Sequence, residues 1–80
     1  MMKPITWNMG KNTKLKTERG VSFEMVMSCL AKNAFKVGPT SSKSHGKQKA
    51  FFVWMNDRAW VVPFEESEKQ IVLKTIMEDK

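Results

Sequence analysis

The chain has 80 residues, and its fourteen Lys/Arg against eight Asp/Glu give a net charge of +6. A domain this short buries only about 60% of the surface its unfolded chain exposes, which excludes a deep, enclosed active site. A single cysteine, Cys29, excludes an internal disulfide and a cysteine-based zinc cluster, and with His45 as the only histidine no metal or other cofactor is expected.

In chain order, Asn8 is a good N-cap, because its side-chain oxygen can accept from the free N–H groups of a first helical turn. A short helix is expected over 9–16, stopped by Gly20, which tolerates the positive φ of a helix C-terminus. Ser22 caps a second helix, with Glu24 in its first turn facing the positive end of the helix dipole. Val21 and Val26 have the spacing of a hydrophobic staple. Phe23, Val26, Met27, Leu30 and Ala31 fall on one face of that helix, which should be buried, with Cys29 a half-buried thiol beside the stripe. Residues 34–37 suit a short strand. Residues 38–49 hold glycine, proline, serine and lysine and read as a flexible basic loop. Residues 50–55 are nearly continuously apolar, as in a strand covered on both faces. Asn56-Asp57-Arg58 makes a turn into a second arm over 59–64, where Pro63 forces an edge, a bulge or the end of regular pairing. Glu65 to Lys69 reads as a solvated acidic turn. Residues 70–77 form a last strand with Ile71, Leu73, Thr75 and Met77 on one face and Val72, Lys74 and Ile76 on the other. The whole is one domain over 1–80, of α+β class: two N-terminal helices packed on a small antiparallel sheet of three to four strands.

Two segments resemble a known family. Trp7-Asn8-Met9-Gly10-Lys11-Asn12, followed by Glu18-Arg19-Gly20-Val21-Ser22-Phe23-Glu24, is similar in order and type to the two helix starts of the BrnT family of toxin–antitoxin ribonuclease toxins. The resemblance spans roughly the first third of the chain and implies a RelE-like fold, RNA cleavage by attack of a ribose 2′-hydroxyl on its phosphate, and a cognate antitoxin as partner. The chain departs from the family's pattern in several places. Glu18-Arg19-Gly20 stands where a Lys-His-Gly turn is usual. The closing strand reads Lys74-Thr75-Ile76-Met77-Glu78-Asp79-Lys80 where an Arg-x-Ile-Ser-Ala-Arg type is usual, with Lys80 near the position of an arginine. The C-terminal helical extension is missing, and no arginine lies between the second helix and the first long strand. Lysine keeps the charge but loses the planar phosphate fork of arginine.

Charge points the same way. Residues 1–49 carry ten Lys/Arg and two acids, and residues 50–80 carry four and six. The first half is therefore a candidate polyanion surface, drawn from Lys11, Lys14, Lys16, Arg19, Lys43, Lys47 and Lys49, with RNA the expected ligand. An acidic protein partner would fit the same face. His45, the one side chain whose ordinary pKa lies near neutrality, is a proton-transfer candidate beside lysines that bind phosphate, or simply a solvated loop histidine. Lys74 either faces an RNA groove or snorkels from a half-exposed sheet, and Arg58 either reaches phosphate or aids solubility. His45, Lys74 and Arg58 are the candidate catalytic set. Glu65 and Glu66 are alternative carboxylate bases on what is otherwise a solvated face.

The chain has no signal-peptide order at its start and no apolar run near the roughly 18 residues of a membrane span, so a cytoplasmic protein without membrane contact is expected. The alternative to a ribonuclease toxin is a non-catalytic nucleic-acid- or protein-binding module on the same fold. A general RNA-binding domain of other ancestry needs exposed aromatics on one sheet face, against which residues 50–55 argue.

Overall fold

The computed structural model describes residues 3–39 and 49–79. They form β1 (Ile5–Trp7), α1 (Met9–Arg19), α2 (Phe23–Ala31), β2 (Phe35–Pro39), β3 (Lys49–Met55), β4 (Arg58–Glu66), β5 (Ile71–Leu73) and β6 (Met77–Glu78). The two helices lie on one face of a six-stranded mixed sheet in the order β1-β5-β4-β3-β2, with β6 also paired to β4. This corrects the expected antiparallel sheet of three to four strands and the RelE-like arrangement inferred with it. The excess comes from β1, which pairs in parallel with β5, and from the division of the last strand into two.

The local signals at the helix starts act as their chemistry predicts. Asn8 Oδ1 accepts from Lys11 N at 2.9 Å, and Ser22 Oγ accepts from Met25 N at 3.3 Å. Gly20 closes α1 at φ 69°, a left-handed conformation that a Cβ would strain. α1 runs three residues beyond the expected end, to Arg19. Val21, Phe23, Val26 and Leu30 are buried, whereas Ala31 is exposed and Met27 only half-buried. Trp7 stacks on Phe23 with ring centroids 5.7 Å apart.

Asn12, in the middle of α1, ties the two helices together. It is buried, its Oδ1 accepts from Phe23 N at 2.8 Å, and its Nδ2 donates to both Glu24 carboxylate oxygens at 2.8 and 3.0 Å. All of its polar atoms are thereby satisfied inside a small core, the condition under which a buried amide stabilises a structure. Trp7, Asn12, Phe23 and Glu24 thus hold the start of α2 against β1 and α1.

Asn56 and Asp57 both adopt positive φ, 53° and 60°, the two-residue turn whose twist matches a β-hairpin. Arg58 is therefore not a turn residue but opens β4 opposite Met55. Asn56 Nδ2 donates to the Gly20 carbonyl at 3.0 Å, pinning the hairpin tip to the α1–α2 corner. The inner face of the hairpin holds Phe51, Val53, Met55, Trp60, Val62 and Phe64, all buried against the helices. The outer face holds Phe52, Trp54, Ala59 and Val61, and Trp54 is 64% exposed. Residues 50–55 are thus fully covered on one face only; on the other Ala50 is buried opposite Pro63, Phe52 is half-buried and Trp54 exposed, because α1 and α2 both pack on the same side.

Pro63 explains the break in the last strand. Its carbonyl accepts from Lys74 N at 2.9 Å, so its backbone nitrogen, which has no hydrogen to donate, faces the same neighbour. Opposite it, residues 74–76 leave the ladder between β5 and β6. The strict alternation expected over 70–77 fails there: Leu73 and Ile76 are both buried, and Met77 is 43% exposed. Glu65 and Glu66 end β4 rather than forming a turn, and the turn that follows is held by Ser67, whose N–H donates to the Gln70 carbonyl at 2.9 Å. Gly38, Pro39 and Lys49, expected in the basic loop, are strand residues, and Pro39 sits opposite Lys49.

Candidate nucleic-acid interface

Between α1 and the β5–β6 segment the structure forms two open pockets, and five of the cations singled out from the sequence line them. The first, about 450 Å³, lies where α1 begins and β5 ends, and is lined by Asn8, Gly10, Lys11, Lys14, Val72, Leu73 and Lys74. Lys11 and Lys14 are one turn apart on α1, so their side chains share a face. Lys74 meets them from the strand break and forms an ion pair with Glu65 at 3.5 Å. Both groups are largely exposed, so this pair contributes little to stability and leaves the lysine available to exchange partners.

The second pocket, about 530 Å³, lies where α1 ends and β6 begins, and is lined by Glu18, Arg19, Arg58, Trp60, Met77 and Glu78. Arg19 donates through Nη1 to the Ile76 carbonyl, bridging α1 to the β5–β6 segment. That acceptor is neutral, so the bond fixes the guanidinium without cancelling its charge. Arg58 Nη1 lies 3.4 Å from a carboxylate oxygen of Glu78. Both are held by backbone register: Arg58 opens β4 and Glu78 pairs with Trp60 across to β6. Trp60 is anchored in turn by its indole N–H, which donates to the Met55 carbonyl at 2.8 Å.

The remaining candidates lie elsewhere. Lys16 is turned toward α2, 3.7 Å from a carboxylate oxygen of Glu24. Lys49 begins β3 on the other side of β4. Lys43, His45 and Lys47 lie outside the described residues, as does Lys80. The catalytic set of His45, Lys74 and Arg58 is therefore not seen together: Lys74 lines the first pocket and Arg58 the second. Glu65 faces Lys74, and Glu66 accepts from Lys3 Nζ at 2.8 Å, which holds its carboxyl below the ordinary glutamate range. Glu18 and Glu78 were missed as site residues. Nothing local distinguishes them from other surface acids, and only the approach of α1 to β6 puts both beside arginines.

The outer sheet face is a second feature of interest. Lys36, Phe52, Val61 and Met77 form a row across β2, β3, β4 and β6, and Trp54 stands beside Ala59 in the next row. Met77 belongs to this row and also lines the second pocket. The exposed aromatic that a sheet-face nucleic-acid binder needs is thus present at Trp54, contrary to the expectation from residues 50–55.

Among the described residues no cluster of His, Cys, Asp and Glu is arranged to hold a metal, and no helix is long and apolar enough to cross a membrane. No protein-family model matches the chain, and comparison with curated proteins and with solved structures returns no match.

Proposed function

We propose that this chain is a BrnT-like toxin of the cytoplasm that binds and cleaves RNA, and is neutralised by a cognate antitoxin protein. The observation that carries the RNA reading is the gathering of Lys11, Lys14, Arg19, Arg58 and Lys74 into two pockets, one at each end of α1. Lysines bind phosphate as point charges, and the two arginines add directional donors. A single strand lying along α1 would meet lysines at the first pocket and arginines at the second.

The test is binding of a fluorescein-labelled single-stranded RNA followed by anisotropy over a salt series. Affinity should fall steeply as salt rises. Replacing Lys11, Lys14 and Lys74 together by glutamine should weaken binding at least about tenfold and flatten the log–log salt slope by about 2, the effect of losing three phosphate contacts on a single strand. Replacing Lys32 and Lys69, which lie outside both pockets and the outer sheet row, should leave both nearly unchanged. Salt-insensitive binding, or equal losses in both variants, would remove the interface from consideration.

A second reading is favoured by one observation, the exposure of Trp54 on the outer sheet face. On this reading the chain is a non-catalytic nucleic-acid- or protein-binding module. RNA binding without cleavage, accompanied by quenching of Trp54 fluorescence, is its expected signature.

A further inference from the structure

We infer that Glu78 is the proton acceptor of an RNA-cleaving centre in the second pocket, with Arg58 and Arg19 holding the scissile phosphate; this inference rests on the RNA reading above. Cleavage of RNA without a metal needs three things in one place: a base near the ribose 2′-hydroxyl, cations around a phosphorane, and access for a strand. The second pocket brings them together. Glu78 lies on β6, paired only with β4, so its carboxylate stands at the rim of the sheet rather than within it. Arg58, 3.4 Å away, pairs with the carboxylate and retains further N–H donors for an incoming anion. Arg19 is fixed by the Ile76 carbonyl and makes no ion pair with a carboxylate among the described residues. Its charge is therefore free to meet a phosphate.

Glu18 shares the pocket but differs from Glu78 in one respect. It makes no side-chain hydrogen bond or ion pair among the described residues, so nothing sets its orientation. A base must be positioned before its proton affinity matters. Lys11, Lys14 and Lys74 in the first pocket then hold the flanking phosphates, and Met77, shared between the pocket and the outer sheet row, leads the strand toward Phe52 and Trp54.

In the step itself, the Glu78 carboxylate takes the proton of a 2′-hydroxyl as the O2′–P bond forms and the P–O5′ bond breaks. The products are a 2′,3′-cyclic phosphate and a 5′-hydroxyl. The leaving O5′ takes its proton from solvent water, and Glu78 returns its proton to solvent, so protons balance. Arg19 and Arg58 lie against the non-bridging oxygens, where negative charge grows in the transition state.

The experiment compares the full chain with its Glu78→Gln, Glu78→Asp and Glu68→Gln variants on 5′-labelled single-stranded RNA in excess chelator, with anisotropy measured on the same samples and circular dichroism confirming their fold. The wild type should leave 2′,3′-cyclic phosphate ends and spare DNA of the same sequence. Glu78→Gln should slow cleavage by at least about 100-fold, the contribution expected of a general base, while binding RNA as well as or more tightly than the wild type. Glu78→Asp should recover part of the rate, and Glu68→Gln, at an exposed acid outside both pockets, should cleave normally. Cleavage undiminished in Glu78→Gln, or cleavage of the DNA, overturns the assignment. A wild type that binds RNA without cutting it overturns the assignment but leaves the binding reading intact, whereas failure to bind at all removes both.

Discussion

The two faces of the β3–β4 hairpin are built from similar residues and have opposite fates. On the inner face Val53 pairs with Trp60 and Phe51 with Val62, all buried under the helices; on the outer face Trp54 pairs with Ala59 and Phe52 with Val61, and none is fully covered. An apolar run shows that a strand can be buried, and the number of layers available decides how many faces are. Here two helices of eleven and nine residues occupy one side only. The surplus apolar character of the other side is an exposed surface, and surfaces of that kind mark interactions more often than they contribute to stability.

The sharpest test exchanges the same residue type on the two faces. Trp60→Ala should cost about 3–5 kcal/mol, since it removes a buried ring from the core, and urea denaturation would show the domain close to unfolding. Asn12→Ala should come next, at about 1–3 kcal/mol, because it strands the buried Phe23 N–H while also releasing Glu24. The same substitution has a signature in pH. Glu24 titrates below the ordinary glutamate value, first because the Asn12 amide donates to its carboxylate, then through the backbone N–H at the start of α2 and the Lys16 charge. A depressed carboxyl favours the folded state above its unfolded value, and that contribution is lost as pH falls from the ordinary glutamate value through the lowered one. In Asn12→Ala the Glu24 carboxyl, followed by NMR, should move back up. The smallest effect belongs to Trp54→Ala, within about 0.5 kcal/mol of the wild type. A large loss there would mean that the outer face is covered after all.

What could be read from the chain was local. Asn8, Gly20 and Ser22 each act on neighbours within a turn, and Asn56-Asp57 sets a hairpin by its own dihedrals. The misses were non-local. Ile5–Trp7 is too short to show a period and becomes a strand only because β5 lies beside it. The break at 74–76 depends on which side of β4 the Pro63 nitrogen faces, which residue order alone does not reveal. The part Asn12 plays depends on Phe23 and Glu24, which meet it from the next helix. The candidate interface follows the same division. Its five cations were visible as charge, but their gathering into two pockets, and the place of Glu78 among them, required α1 to run alongside β5 and β6.

The pairing of β1 with β5 also constrains when the protein can finish folding. Lys3 donates to the Ser67 carbonyl across 64 positions of sequence, and Ile5 sits opposite Ile71. Such contacts carry a high loop-closure cost and form late. During synthesis, α1, α2 and the first hairpin leave the ribosome before the strand that β1 needs. Both pockets use residues that follow Gln70, so neither exists on a nascent chain until those residues have left the ribosome.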